Sequence, residues 1–447
     1  MNLDRKIEAK QAVICVMGLG YVGLPLAVEF ARLGFPVTGL DVDEDRVTAI
    51  QRGQSYIQDV SGADVSRVVE AGYLRATADQ SVLAEMDVIF ICVPTPFTSA
   101  KTPDLSYVLA AAKQIAEHLR PGQLIVLQST TYPGTTEEDV QPILESCGLL
   151  AGRDFHLAFS PERTNPGDHE HTVTNTPKVV GGVTPRCGEL ARLLLEHLMP
   201  EVHPVSSPRA AEMTKLLENI YRSVNIALVN ELAKLCERMG IDIWEVIQAA
   251  STKPFGFMPF YPGPGVGGHC VPVDPYYLFW KAREYDFYLR FVELAAELNE
   301  SMPHFVVGKT SDALNARGLT LQQAKVLVLG VSFKPDVDDA RNSPARRVIE
   351  LLLSRGVQVS YNDPHIPEFT VGNDVFHREE LTLNSVVLTE ERLADHDCVL
   401  ILAAHSSYDY DWIVNHAPLV IDTMNATSGV TTGREKVFRV GAPPSLR

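Results

Sequence analysis

A chain of 447 residues, 45% apolar and 21% charged, is long enough for two or three domains with their own cores and has the balance of a folded globular protein. Its formal net charge of −17 lacks the basic footprint that nucleic acid requires. No apolar run nears the roughly 20 residues that span a bilayer, and the polar start MNLDRKIEAK has no secretory core, so a cytoplasmic protein without membrane attachment is expected. Seven cysteines without CxxC pairs suit a reducing compartment, not a disulfide framework or structural zinc.

Residues 12–17 (AVICVM) predict a short buried strand that runs into Gly18-Leu19-Gly20-Tyr21-Val22-Gly23, then a helix over LPLAVEFARLG and a second strand in FPVTGLDVD. Further strands are expected at 87–94, 123–130 and 155–161, with helices between most of them, which implies a mostly parallel, doubly wound sheet. From 209 to 248 the apolar spacing becomes helical without a strand signal, as one long helix or two. A Pro/Gly/aromatic loop follows, KPFGFMPFYPGPGVGGHC, and then more helix over roughly 275–316. A second strand-then-glycine start lies at 324–330, followed by a helix near 344–355 and strands at 357–363, 397–405 and 419–423. The expected fold class is therefore α/β. Two Rossmann-like domains, 1–207 and 318–447, are joined by a central helical region, 208–317.

GLGYVG after a strand and opening a helix is a dinucleotide fingerprint. Gly18 permits the tight turn, Gly20 lets the backbone approach a pyrophosphate, and Gly23 allows close helix–strand packing. Asp41 closes the second strand, where a carboxylate accepts from a ribose 2′-OH and repels a 2′-phosphate; NAD is favoured over NADP, though nearby Arg46 pulls the other way. Thr95 and Thr130 end later strands at the same carboxyl edge, within expected reach of nicotinamide or ribose.

Cys270, in GVGGHCVPVDPYY, sits in a glycine- and proline-rich loop, whereas Cys15 and Cys92 fall in apolar strands as packing residues. A loop presents a thiol to a substrate, so Cys270 is the candidate nucleophile, with Asp274 four residues on. Lys215 and Asn219 lie four apart and project from one helix face, either as donors to a developing oxyanion or as a solvated surface pair. Glu162 follows a strand end as an acid/base candidate or an exposed loop charge. Lys334 and Arg341, after the second glycine turn, suit phosphate contacts. His169 and His171 lack matching ligands, so no metal site is expected.

GLGYVGLPLA, SPER, EMTKLLENIYR, GPGVGGHCVPVDPYYL and FKPDVDDARNSPA together resemble the nucleotide-sugar 6-dehydrogenases of the UDP-glucose/GDP-mannose dehydrogenase family, from about residue 12 to about 425. KPFGFMPFYPGPG and SPERTNPG look closest to the branch acting on UDP-N-acetylglucosamine. The resemblance implies a four-electron oxidation of a UDP-sugar C6 alcohol to the carboxylate, with two NAD+ and one water, for a surface-polysaccharide precursor. By position Cys270 is the thiolate, Lys215 and Asn219 stabilise oxyanions or hold water, Asp274 orients or deprotonates that water, and Glu162 lines the pocket. Arg163, Arg222, Gly267, Phe333 and Lys334 are implied to hold the nucleotide sugar; Tyr21, Val22, Asp41, Arg46, Thr95, Thr130 and Arg341 are implied to lie along NAD. A homodimer through the long helix is implied as well.

The chain departs from the family pattern twice. Pro166 stands where UDP-glucose enzymes carry a second carboxylate, which favours an acetamido sugar over UDP-glucose. Met424 stands where the family commonly has an arginine, which weakens the expected grip on the nucleotide sugar. Two other readings compete. A single-hydride dehydrogenase of the hydroxyacid type needs neither Cys270 nor residues 324–423, and a non-catalytic sensor has no use for the intact Cys270, Lys215, Asn219 and Asp274 set.

Overall fold

Three runs of four apolar residues, buried from end to end, form adjacent strands of the first sheet in this computed structural model, which describes residues 2–57, 59–98, 102–164, 172–268 and 271–443. The strands are β1 (Ile14–Met17), β2 (Val37–Leu40), β3 (Leu74–Thr77), β4 (Val88–Ile91), β5 (Leu124–Leu127), β6 (His156–Phe159), β7 (Lys178–Gly182) and β8 (Val202–Val205). Their order is β3-β2-β1-β4-β5-β6-β7-β8, parallel except where β6 meets β7. Alternate residues feed opposite cores. Ile14, Val16, Phe90 and Val126 pack on one face, and Cys15, Met17, Ile89 and Leu127 on the other. Burial pushes the Cys15 thiol up to about 12, so it packs as an inert apolar group. Strands β3, β7 and β8 have no apolar run as clear as the others. β8 carries Pro204, which suits its place at the sheet edge.

The second sheet contains β9 (Lys325–Leu329), β10 (Gln358–Asn362), β13 (Cys398–Ile401), β14 (Val420–Asp422) and β15 (Val437–Arg439). All are parallel, in the order β10-β9-β13-β14-β15. A hairpin of β11 (Glu368–Val371) and β12 (Leu381–Asn384) is separate from it. Val326, Val328 and Leu400 face one core, Leu327, Val399 and Ile401 the other.

The helical stretch after 207 is two helices, Pro208–Met239 and Ile243–Ala250. Gly240, at φ +71°, breaks the first, and Asp242 caps the second by accepting from the Trp244 N–H. The later stretch comprises Asp274–Ala282 and Arg290–Asn315, separated near Asp286 in the left-handed region. The chain divides into two compact units, Met1–Glu218 with Tyr276–Phe287, and Asn219–Pro275 with Tyr288–Arg447. No described helix is long and apolar enough to cross a membrane.

Candidate active site

The fingerprint turn is built as its residue types demand. Gly18 stands at φ +88°, and a Cβ there would lie 2.7 Å from the Cys92 carbonyl oxygen. A Cβ on Gly23 would strike the Gly18 carbonyl oxygen, whereas one on Gly20 would meet nothing within 4 Å. Gly20 therefore leaves open space beside the start of the helix Gly23–Arg32, whose first turn receives no side-chain cap from Val22. Uncapped N–H groups at the positive end of a helix dipole suit a diphosphate. Tyr21 and Val22 pack half-buried against the core beneath the turn.

Asp41 follows β2, and its Oδ2 accepts from the Leu19 N–H at 2.7 Å, which fastens the acid to the turn. Arg46 lies 3.5 Å from Asp41 and 3.3 Å from Asp43, so this cation is committed to carboxylates rather than to a 2′-phosphate. Thr95 and Thr130 are half-buried after β4 and β5, and the Thr95 carbonyl accepts from the Tyr277 hydroxyl. Next to Thr130, the buried Thr131 hydroxyl has no hydrogen-bond partner among the described residues, a vacancy that a bound polar group would satisfy. The residues present fit a dinucleotide with an unphosphorylated ribose.

Lys215 and Asn219 are buried, not surface residues. Lys215 Nζ donates to the backbone carbonyl of Glu162 at 2.7 Å. The Glu162 carboxylate is saturated. Its Oε1 accepts from the Arg163 and Thr164 N–H groups and from Lys178, and its Oε2 from Lys178 at 2.9 Å and Gln128 at 3.0 Å. Burial alone would push this carboxyl up. The Lys178 ammonium and the four-sided hydrogen bonding overcome it and hold the group at about 2. Glu162 is thus a fixed anion, with every lone pair spoken for in this geometry. Arg163 forks onto Glu218, at 2.6 Å, and donates to the Pro177 carbonyl. Composition and spacing gave no hint of Lys178, because a lysine heading an apolar run looks like a strand's solvent end. It is 1% exposed.

In the second unit, the Asn219 amide donates to the Asp274 carboxylate at 2.5 Å, and both side chains are buried. Asp274 stands in the first turn of Asp274–Ala282. Cys270 lies outside the described residues, as do Pro166, His169 and His171. The glycines that lead to Cys270 press on the loop after β9. A Cβ on Gly267 would lie 2.9 Å from the Phe333 Cβ, and the Gly268 carbonyl accepts from Asn342. That loop also carries Lys334, with its Nζ 5.9 Å from the centre of the Phe333 ring, and Arg341, paired with Asp339 at 2.8 Å. Arg222 is exposed on the long helix.

Asp336, His365 and His405 bring three potential ligand atoms within 4.8 Å of one another. Both His405 nitrogens are engaged, however. Nδ1 accepts from the Asp336 N–H at 2.9 Å, so Nε2 carries the proton and donates to Asp363 at 3.1 Å. Asp336, His405 and Asp363 thus latch the loop that carries Phe333 and Lys334, a role with no signal in the local sequence.

Three domain models of one family match the chain: the NAD binding domain over residues 12–199, the central domain over 209–301 and the UDP binding domain over 327–429. A UDP-N-acetyl-D-glucosamine 6-dehydrogenase of Pseudomonas aeruginosa is 38% identical over 89% of this chain and 92% of its own length. A UDP-N-acetyl-D-mannosamine dehydrogenase of Methanococcus maripaludis is 34% identical over 88% and 86%. The solved structure of a UDP-D-ManNAc dehydrogenase from Pyrococcus horikoshii superposes with a TM-score of 0.86 at 31% identity, covering 96% of this chain and 99% of that one. With an NAD-type turn in one unit and a second Rossmann-like sheet in the other, the chain belongs to the UDP-glucose/GDP-mannose dehydrogenase family of NAD-dependent oxidoreductases acting on nucleotide sugars.

Proposed function

We propose that this protein oxidises the C6 alcohol of a UDP-N-acetylhexosamine, UDP-N-acetylglucosamine first, through four electrons to the uronate. The observation that carries this reading is the buried Asn219–Asp274 pair, with Asp274 four residues beyond Cys270. A buried amide and carboxylate joined in this way hold a water and a developing oxyanion more readily than they serve packing. Bound NAD+ supplies the hydride acceptor, once for each two-electron step. Gly18, Gly20, Tyr21, Val22, Gly23 and Asp41 would hold it, with Arg46, Thr95, Thr130 and Arg341 along its length.

The first oxidation converts the alcohol to an aldehyde, with loss of a hydride and a proton. The Cys270 thiolate adds to the aldehyde carbon, and Lys215 and Asn219 donate to the oxyanion. Loss of a second hydride from this thiohemiacetal leaves a thioester. Water oriented and deprotonated by Asp274 attacks its carbonyl and expels the thiolate, and the acid so formed gives its remaining proton to solvent as the carboxylate. Glu162 anchors Lys215 through its carbonyl. Arg163, Arg222, Gly267, Phe333 and Lys334 are proposed to hold the UDP-sugar, which places a glycine and an aromatic face against the nucleotide.

UDP-N-acetylmannosamine is the second reading, favoured by the names of the Methanococcus and Pyrococcus relatives. Exposed Met213, Leu217, Tyr221, Leu228, Leu232, Leu235 and Met239 repeat every three to four residues through most of the long helix, which supports a homodimer. The reducing cytoplasm suits a working thiolate. The test is to count NADH formed per sugar with UDP-glucose and the N-acetylated gluco-, manno- and galacto-isomers. Two NADH from one isomer is the expected result. One NADH would exclude the thioester route, and none would leave a binding protein. Cys270→Ser should abolish the overall oxidation and keep NAD binding; unchanged turnover would exclude covalent catalysis.

A further inference from the structure

Lys178 opens β7, and the antiparallel register Ala158↔Gly182, Phe159↔Gly181, carried three residues further, sets it opposite Glu162. There its ammonium lies 2.9 and 3.1 Å from the two carboxylate oxygens with 1% of the residue exposed. One residue, Glu162, thus holds two buried lysines by different atoms, Lys178 at its carboxylate and Lys215 at its backbone carbonyl. An unpaired buried carboxylate attracts the nearest cation. Among the described residues, the charged groups around it besides Lys178 are Lys215 on the long helix and Arg163 on its own loop, the latter already forked onto Glu218. Gln128 also bonds the carboxylate, with the thiol of Cys92 behind it.

We propose that Lys178 is a positioning residue for the oxidation. By neutralising the Glu162 carboxylate, it keeps the Lys215 ammonium on the carbonyl, where its remaining donors serve the reacting oxygen. Without Lys178, the Lys215 ammonium swings to the carboxylate and is withdrawn from the reaction. This inference rests on the reading above that Lys215 takes part in the chemistry. If that reading fails, Lys215→Met will keep wild-type kcat; if only the present inference fails, Lys215→Met will lose activity and the variants below will behave otherwise.

Steady-state kinetics of the full-length enzyme test it, with Lys178→Met, Lys178→Arg and the double variant Glu162→Gln/Lys178→Met. Lys178→Met should lower kcat roughly 10- to 100-fold, as a misplaced donor does, while KM for NAD stays within about twofold. Lys178→Arg should restore most of the loss. The double variant, which has no anion to capture Lys215, should exceed the single variant at least about tenfold. A folded Lys178→Met with wild-type kcat overturns the proposal. So does a folded double variant no better than the single one, and if Lys178→Met does not fold, a double variant below about one-hundredth of wild-type kcat overturns it on its own.

Discussion

The two parallel sheets open with the same device and put it to opposite uses. Each first strand ends in a glycine at positive φ, Gly18 at +88° and Gly330 at +79°, where a Cβ would collide with the neighbouring strand's exit at Cys92 or Ala403. In each, an aspartate at the end of the adjacent strand reaches back to accept from the turn: Asp41 from Leu19, Asp363 from Val331 and Ser332. Beyond that they diverge. In the first sheet the helix begins five residues after Gly18, without a side-chain cap and beside the open space at Gly20. In the second the loop runs fourteen residues to a helix closed by Ser343 and Pro344, and Asp363 is filled by five donors, His405 among them. A shared start thus leaves an open, uncapped turn in one place and makes a rigid loop mount in the other.

The contrast is sharpest in Asp363→Ala. Removing a fully buried carboxylate that holds Val331, Ser332, His365, Ile366 and His405 should cost about 3–5 kcal/mol, seen as a lower denaturant midpoint. A loss below about 1 kcal/mol would mean that the loop after β9 holds itself, and the comparison would break.

Acid and base should act in opposite senses on one buried carboxyl of each unit. In the first, Glu212 accepts from the Gly134 and Thr136 N–H groups and from the Thr136 hydroxyl. Burial pushes it up to about 7 against those donors. A carboxyl raised in the fold gives stability that is complete below its unfolded value near 4.5 and is lost as pH climbs through about 7, here about 3 kcal/mol. Asp363 is the reverse. Burial opposes its charge, but His405 and the backbone donors keep it below the ordinary carboxylate range, so its contribution is present at neutral pH and lost toward strong acid. Glu212→Gln should flatten the loss of stability between about pH 5 and 7.5; an unchanged slope would assign that slope elsewhere.

Asp41→Ala should strike cofactor binding and also cost the fold the acceptor of the buried Leu19 N–H, a smaller loss than that at Asp363 with its five donors. Losing the proposed acceptor of a ribose hydroxyl should cost about 1.5–3 kcal/mol, roughly 10- to 150-fold in NAD affinity by titration, with UDP-sugar affinity unchanged. Preference for NADP in the wild type would reverse the assignment of this acid.

Much of this was legible because local rules agreed. GLGYVG, the buried four-residue strands and the helical stripe each follow from spacing, and burial of Lys215 and Asn219 chose between two readings the helix period left open. Strands β3 and β8 were hidden because LRAT and VHPV alternate or carry polar groups. Lys178 and His405 were hidden for a different reason. Their partners lie 16 and 42 residues away in sequence, and only the sheet register and strand order bring them together.

The smallest effect is expected at Met424, in the loop after β14. Its N–H is held by Asp422, and its sulfur lies 3.5 Å from where a Cβ on Gly263 would stand, so the side chain covers the segment leading to Cys270 without offering charge. A nucleotide sugar brings a diphosphate, and a guanidinium gains on methionine wherever it reaches those oxygens. Met424→Arg should therefore tighten UDP-sugar binding about tenfold, near 1.4 kcal/mol by calorimetry, and leave NAD affinity alone. The neighbouring Arg439 already donates to Asn425 at 2.8 Å and pairs with Asp242. Unchanged affinity in Met424→Arg, with a loss in Arg439→Met, would show that this second arginine, arriving from β15, has taken over the missing charge.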